Sequence, residues 1–171
     1  MGTAQAIIRA LRPTDSLEEI TELLHRAYNP LADAGLRYLA SHQSVDQTRG
    51  RLERAAGAYV AELGGRLVGT IKWNRGRPED AEGPLIYREA RVAIFGQFAV
   101  EPALQRHGIG LLLLNQVFVE AKQTGCVEVA LDTAEGAAHL IRWYERLGFQ
   151  FVEHTQWKVT NYRSVVMSRT L

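Results

Sequence analysis

A β-strand, a glycine-rich turn and an amphipathic helix follow one another between residues 91 and 123. RVAIFGQFAV at 91–100 is rich in β-branched and aromatic residues and predicts a strand. QRHGIG at 105–110 places two glycines directly before a run of leucines. Because a strand leading through a turn into a helix must pack that helix back onto a sheet, this order constrains the fold strongly. The buried face of the helix is predicted at Leu113, Leu114, Val117, Phe118 and Ala121.

The glycine-rich turn has two interpretations from its pattern alone. Such a turn between a strand and a helix places backbone N–H groups and the positive helix end against an anion. The same glycines could equally serve only to make a tight turn. Two nucleotide motifs are absent, since no Lys followed by Ser or Thr stands after the last glycine, and Leu113 replaces the third small residue of a dinucleotide fingerprint.

The first half of the chain predicts a strand, two helices and a hairpin. AIIRALRP at 6–13 predicts a short strand, followed by a helix from Leu17 to about Tyr28 that Asp15 or Ser16 caps and that ends before Asn29-Pro30. A second helix is expected at about 46–56, whereas 31–43 could be helix or loop. The runs at 58–63 and 66–73 around Gly64-Gly65 predict an antiparallel hairpin, and 74–90 predicts a loop.

The last third predicts a strand at 126–132, a helix and two final strands. Asp132 and Glu135 resemble a capping box that opens the helix, and Gly148 closes it. The final strands, FQFVEHTQWKV and NYRSVVMSRTL, are expected to meet near Thr160-Asn161. The buried stripe of the helix is predicted at Ala137, Leu140, Ile141, Tyr144 and Leu147.

Composition limits the classes of function. The chain of 171 residues has 46% hydrophobic residues, 23% charged residues and a net charge of +1, which predicts a single domain over 1–171. Nothing in this balance favours a nucleic-acid or membrane partner. The single cysteine, Cys126, can form neither an intrachain disulfide nor a cysteine-based zinc site, so we expect no metal and a cytoplasmic setting. Its simplest interpretation is a buried small residue.

The order IFGQFAV, EPALQRHGIG, amphipathic helix and LIRWYERLGF resembles the GNAT superfamily of acyl-CoA-dependent N-acetyltransferases. The family motif Q/R-x-x-G-x-G/A matches Gln105, Gly108 and Gly110, and the specific part of the resemblance covers 94–149. It implies an α/β (α+β) fold with a mixed, mostly antiparallel central sheet of about six or seven strands flanked by about four helices.

The resemblance also implies where acetyl-CoA binds. The backbone of the strand before the turn would hold the pantetheine arm, and a bulge at Gly96 or Gln97 would leave backbone groups free for it. The turn would hold the pyrophosphate through its N–H groups, with added charge from Arg106. The residues implied are Phe98, Ala99 and Val100 on the strand, and Gln105, Arg106, His107, Gly108, Ile109, Gly110 and Leu111 on the turn.

Tyr144 is the catalytic residue that the resemblance implies, as proton donor to the departing thiol. A tyrosine of pKa ~10 is protonated at neutral pH, and such proton transfer typically contributes ~100 to 10,000-fold. The pattern alone favours a core role for Tyr144, because it shares the apolar face of its helix with Leu140 and Ile141, and the resemblance reverses that preference. The N–H of Phe98 or its neighbour would polarise the thioester carbonyl.

The general base has no obvious candidate. Relatives often place Glu or His on the strand before the glycine turn, and the matching positions here hold Ile94 and Gly96. Ala137 also departs from the family, since many relatives carry there an asparagine that contacts the cofactor. Substitute bases considered are Gln97 through a water relay, Glu62, His25, His42 and Tyr28, and the amine could also arrive already neutral.

The expected function is transfer of an acetyl group from acetyl-CoA to a primary amine of a small molecule or peptide. Residues 25–50 and 74–90 are expected to shape the acceptor pocket, while Trp73, Trp157 and Tyr162 could line it, fill the core or form a subunit contact. A homodimer stays open. Two rival hypotheses are a catalytically silent acyl-CoA sensor or interaction protein of the same fold, and a helix-rich interaction module without a cofactor.

Overall fold

The computed structural model describes residues 5–80 and 82–171, which form seven β-strands and four α-helices. Within these ranges no helix combines the length and the apolar character that a membrane crossing requires. Short 3₁₀ turns lie at Leu39–Ser41, Leu85–Arg88 and Pro102–Leu104. The elements are β1 (Ile7–Ala10), α1 (Leu17–Asp33), α2 (Val45–Glu53), β2 (Gly57–Leu63), β3 (Arg66–Arg75), β4 (Val92–Val100), α3 (Ile109–Gln123), β5 (Glu128–Ala134), α4 (Ala138–Arg146), β6 (Gln150–Thr155) and β7 (Ser164–Thr170).

The strands form one sheet in the order β1-β2-β3-β4-β5-β7-β6. β4 and β5 run parallel, and the other neighbouring pairs of described strands are antiparallel. The predicted hairpin is confirmed, because β2 and β3 meet at Gly64 and Gly65 with φ of 57° and 78°. Positive φ at both central residues gives the turn the twist that adjacent strands need. The mixed, mostly antiparallel sheet with four helices that the resemblance implied is confirmed.

Two apolar clusters place the helices on opposite faces of the sheet. α3 and α4 bury Leu113, Val117 and Tyr144 in the larger cluster. α1 and α2 bury residues including Leu23 and Leu52 in the smaller one on the other face. The sheet is therefore covered on both sides.

The first helix is longer than its sequence predicts. Ser16 caps it by accepting from the Glu19 N–H, as expected, but α1 continues through Pro30 to Asp33. A proline removes only its own N–H bond and crowds the carbonyl four residues earlier, so a final turn can persist where other contacts hold it. Here the Ala34 N–H donates to the Pro30 carbonyl, at 3.2 Å. The prediction that the helix ends before Asn29-Pro30 was wrong.

The predicted capping box at Asp132 and Glu135 was also wrong. Asp132 lies within β5, and α4 begins after Ala137 without a side-chain cap. The Glu135 carboxylate instead accepts from Arg163 at 2.6 Å. The side chain of Asp132 is thus available for contacts on the sheet surface.

Candidate active site

A β-bulge interrupts β4 where the resemblance implied one. Thr70 pairs with Ala99 and Lys72 with Gly96, so two residues of β4 stand opposite the single residue Ile71. Gln97, the first of the two, has φ of 46°. A bulge leaves a residue unpaired and bends its strand, which turns this part of β4 away from its regular ladder.

β4 and β5 separate just beyond their start. Their ladder runs from Val92↔Glu128 to Ile94↔Ala130, whereas β4 continues to Val100 and β5 to Ala134. Past Ile94, within the described strands, β4 pairs with β3 and β5 pairs with β7. The two parallel strands therefore open a gap, and one edge of β4 faces it.

Two backbone carbonyls of β4 accept hydrogen bonds from side chains of other elements. The Tyr28 hydroxyl donates to the Phe98 carbonyl at 2.9 Å, and the Gln105 amide donates to the Val100 carbonyl at 3.2 Å. A carbonyl oxygen has two lone pairs, so each can accept a second hydrogen bond. This edge suits an extended ligand that pairs with it as a strand would.

The glycine turn, residues 105–111, carries free backbone donors at the start of α3. Arg106 and Gly108 have φ of 64° and 84°, in the left-handed region. Within residues 5–80 and 82–171, no protein group accepts from the N–H groups of 106–111, and the first helical bond is from Leu112 to the Gly108 carbonyl. These donors add to the positive end of the helix dipole. The turn has the features of an anion site.

Both glycines of the turn have a steric role. A Cβ at Gly108 would meet nothing within 4 Å, so the space above the turn is open. A Cβ at Gly110 would lie 3.3 Å from Cζ of Phe98 and 3.7 Å from Cγ2 of Val100. Gly110 thus lets the first turn of α3 approach β4 closely, and the anion site and the open strand edge become neighbours.

Tyr144 lies in the core of the α3 and α4 face. It is 7% exposed, and its ring packs 6.0 Å from Phe95, 5.0 Å from Trp143 and 5.7 Å from Phe149 between centroids. Burial raises the pKa of Tyr144 well above its usual value, and the neighbouring Tyr28 and Tyr38 raise it further. In the part of the chain that the structure describes, its hydroxyl meets no protein hydrogen-bond partner and keeps access to solvent. The core interpretation and the proton-donor interpretation are therefore compatible.

A cavity of about 490 Å³ opens at the gap; we call it the β4–β5 cavity. Residues 94–97 of β4 form its floor, and residues of the two segments expected to shape an acceptor pocket line it, among them Tyr28, Tyr38 and Tyr87. Trp157 and Tyr162 also line it. Tyr28, Tyr38 and Tyr162 stack in a row, with ring centroids 5.2 and 4.9 Å apart.

Three charged side chains line the same cavity. Arg51 comes from α2, Lys72 from β3 and Asp132 from β5. Asp132 accepts from the Tyr87 hydroxyl at 2.8 Å and from the Trp157 indole N–H at 2.9 Å. Burial lowers the pKa of Lys72 to about 8, with a smaller effect from Arg51 and Arg54. The cavity is polar at its charged ends and aromatic between them.

The substitute bases considered from the sequence lie in different places. Tyr28 and Gln97 line the cavity. Ile94 and Gly96, at the positions where relatives often carry a base, also line it, and neither has a titratable side chain. Glu62 pairs with Arg9 at 2.9 Å on the β1 side of the sheet. His25 binds the Gln43 carbonyl at 2.8 Å, and His42 contacts Ser41 at 3.2 Å; neither lines the cavity.

Three other residues considered from the sequence lie in the core. Trp73 is 1% exposed and donates to Glu120 at 2.8 Å, which places it under α3 and away from the acceptor cavity. Cys126 is buried, as expected. Ala137 is buried at the start of α4.

Sequence reasoning missed Arg51, Lys72, Asp132, Tyr38 and Tyr87 as cavity residues. One signal was present for Lys72, which interrupts the apolar strand RLVGTIKW between two buried residues. A cation at such a position on a strand requires a polar environment on that face of the sheet. For the others no local pattern exists, because the cavity forms from segments far apart in the chain.

A mixed sheet that splays between two parallel strands, with a glycine turn at the gap, defines the α/β fold of this chain. Solved structures share it: a Pyrococcus horikoshii OT3 protein has a TM-score of 0.74 at 21% identity, covering 98% of this chain and 99% of that chain. A Bacillus subtilis acetyltransferase in complex with CoA has a TM-score of 0.67 at 20% identity, covering 98% and 99%. A Salmonella typhimurium protein with bound acetyl-CoA gives 0.70 at 20% identity, covering 98% and 95%.

The sequence comparisons give the family. The sequence model of the acetyltransferase (GNAT) family matches residues 17–149. The S-(2-succino)cysteine N-acetyltransferase of Bacillus subtilis (strain 168) is 32% identical over 138 residues, which cover 77% of this chain and 77% of that protein. The chain belongs to the GNAT acetyltransferase family, as the resemblance of its motifs implied.

Proposed function

We propose that this protein transfers an acetyl group from acetyl-CoA to the primary amine of a small molecule, by direct attack and without a covalent enzyme intermediate. The observation that carries the proposal is the row of free N–H groups at 106–111 next to an open edge of β4, and the ring of Tyr144 packs 6.0 Å from Phe95 of the same strand. The relative that acts on S-(2-succino)cysteine and the solved structures with CoA or acetyl-CoA support it.

The residues present fit acetyl-CoA. The N–H groups of Arg106, His107, Gly108, Ile109, Gly110 and Leu111 would hold the pyrophosphate, since they lack protein partners and stand at a positive helix end. Gln105 positions the turn by binding Val100, and Phe98, Ala99 and Val100 offer the strand edge to the pantetheine arm. Acetyl-CoA supplies the activated acetyl group, whose C–S bond breaks as the N–C bond of the amide forms.

Tyr144 serves as the proton donor to the departing sulfur. Its raised pKa keeps the hydroxyl protonated at physiological pH. Because a thiol has a lower pKa, of ~8.5, the proton transfer is uphill and takes place as the C–S bond breaks, with the hydroxyl hydrogen-bonded to the sulfur. The amine loses one proton as the amide forms, and a proton returned through solvent restores the tyrosine. One proton leaves the amine and one is gained by the thiol, so the reaction is balanced.

The amine must be neutral when it attacks the thioester, and the positions of the usual base hold Ile94 and Gly96. Gln97 and Tyr28 remain available at the cavity to order a water that removes the proton. We propose that this relay, and not a carboxylate on β4, deprotonates the amine. The low demand on the protein is consistent with small amines of moderate pKa as acceptors.

Two measurements on the full chain test the proposal. Calorimetric titration with acetyl-CoA, with dephosphorylated pantetheine as control, should give saturable binding that the control lacks. A thiol-release assay with a panel of primary amines should then show acetyl-dependent turnover. Binding without turnover on any amine would favour the silent sensor, and absence of binding to a folded sample would leave the glycine turn as a turn only.

A further inference from the structure

Two cationic side chains converge on one point of the β4–β5 cavity. At Gly96 a Cβ would lie 3.8 Å from Nη2 of Arg51 and 3.8 Å from Cε of Lys72. Both line the cavity, and both are partly buried. Across residues 5–80 and 82–171, the ion pairs of the protein involve neither of them. Their hydrogen-bond partners are neutral, since Arg51 donates to Gln43 and Lys72 to Asn74, and Asp132 attracts Arg51 without forming an ion pair with it. The two partly buried cations repel each other, so an anion bound between them would relieve that repulsion.

A neutral hydrogen-bond donor stands beside them. Arg51 donates to Oε1 of Gln43 at 3.0 Å, and Nε2 of Gln43 donates to Oε1 of Gln97 at 2.6 Å. This chain fixes the Gln97 amide, whose Nε2 is buried with no partner among the described residues. Gln97 is 3% exposed and lines the cavity. An unpartnered buried donor next to two cations calls for an acceptor from outside the protein.

The cavity also holds one negatively charged side chain among the described residues, that of Asp132. Asp132 is oriented by the Tyr87 hydroxyl and the Trp157 indole, and it is the cavity's carboxylate within the described chain. An amine approaching the gap in its protonated form is attracted to this carboxylate. The cavity is thus cationic at Arg51 and Lys72 and anionic at Asp132, a polarity that matches an amino acid better than a simple amine.

We infer that the acceptor carries a carboxylate, which Arg51 and Lys72 bind beside Gly96 with help from the Gln97 amide, while Asp132 attracts its amino group. The acceptor class is therefore carboxylated amines of the amino acid type. The inference rests on the proposed acetyl transfer and names the substrate class of that site. It also assigns Arg51 and Lys72 as specificity-determining residues, which neither the glycine motif nor the family assignment does.

The test compares acceptors that differ in one charge. S-carboxymethyl-cysteine, its side-chain amide and its α-amide are close in size. Amidation of the α-carboxylate lowers the pKa of the adjacent amine, so kcat/KM is corrected to the neutral fraction of each amine before the carboxylates are compared. We expect at least one amide to lose about tenfold to a hundredfold in kcat/KM, the range for a hydrogen bond to a charged group. Succinate, which has no amine, should inhibit competitively against the acceptor, whereas succinamide should not.

Substitutions of Arg51 and Lys72 test whether these two residues cause the preference for carboxylated acceptors. Arg51→Gln and Lys72→Gln should each reduce the preference for carboxylate over amide by about tenfold and weaken succinate inhibition, with acetyl-CoA binding unchanged. Arg54→Gln is the matched control, because Arg54 is exposed, lies close enough to influence Lys72 and does not line the cavity. It should keep the preference of the wild type.

The outcomes separate this inference from the proposed function. Turnover of amides and carboxylates at equal rates, or an unchanged preference in both Arg51→Gln and Lys72→Gln, would overturn the carboxylate site while leaving acetyl transfer intact. Absence of turnover with every amine would refute the proposed function. In that case calorimetric titration with succinate still tests the carboxylate site. Saturable binding to the wild type that is lost in Arg51→Gln would support the site, and no binding to the wild type would refute it.

Discussion

The glycine turn and the β4–β5 cavity are neighbours built in opposite ways. The turn uses backbone groups of one short segment, residues 105–111, and its donors exist because a helix leaves its first N–H groups unpaired. The cavity uses side chains from α1, α2, three strands and several loops. A backbone site accepts any anion of suitable shape and does not titrate, whereas a side-chain site can discriminate by charge. This difference explains how acetyltransferases could keep one backbone site for a shared cofactor while the side chains of the acceptor cavity vary.

The largest effect is expected at Tyr144, the proposed proton donor. Tyr144→Phe should lower kcat by about 100 to 10,000-fold and leave acetyl-CoA binding unchanged, because only the departing sulfur needs the proton. Steady-state assays measure kcat, and calorimetric titration measures the binding of acetyl-CoA. Tyr59→Phe is the control, since the Tyr59 hydroxyl binds Glu120 under α3 and should affect stability alone. Normal turnover in the Tyr144→Phe variant would remove Tyr144 from the chemistry.

The next largest effect is expected on acetyl-CoA binding at the glycine turn. Gly108→Trp should weaken acetyl-CoA binding about 100-fold or more, because the indole fills the open space over the free N–H groups. Gly125→Trp is matched to it, with φ of 90° and an equally open site at the other end of α3. Both should lose similar stability from left-handed backbone strain, about 1 to 2 kcal/mol. Equal loss of binding in both variants would contradict a phosphate role for Gly108.

A pH series distinguishes the titrating site from the backbone site. The pKa of Lys72 lies near 8, below its usual value, so the side chain is charged below this pH and neutral above it. For a carboxylated acceptor, kcat/KM of the wild type relative to Lys72→Arg should fall by up to about tenfold from pH 7 to pH 10. The ratio cancels ionisation of the amine. KM for acetyl-CoA should not follow this change, and a flat acceptor ratio would place Lys72 outside the binding site.

The smallest effect probes the space between the two cations. Gly96→Ala should fold normally, because its Cβ meets only ordinary contacts at 3.8 Å and its φ is not in the left-handed region. The added methyl group should raise KM for the acceptor about two- to threefold by crowding Arg51 and Lys72. Steady-state kinetics with both substrates measure it. An equal rise in KM for acetyl-CoA would indicate that the two regions are not separable.

The candidate site was predictable from the sequence in proportion to how local it is. The turn, the bulge near Gln97 and the hairpin follow from a few adjacent residues, and the structure places them where the pattern predicts. Asp132 shows the opposite case, since its spacing to Glu135 suggested a helix cap while the fold uses it as a cavity carboxylate. Pro30 likewise did not end α1, because the Ala34 N–H donates to the Pro30 carbonyl and a further helical turn forms.

By itself the sequence determined the family, the order of elements and the glycine turn before α3, because strand pattern, glycine positions and helix spacing are properties of neighbouring residues. Only the tertiary structure decided that Arg51, Lys72 and Asp132 share one cavity. These residues lie on α2, β3 and β5, and the register of the sheet and the separation of β4 from β5 bring them together. Their proximity depends on long-range packing, which no spacing along the chain encodes.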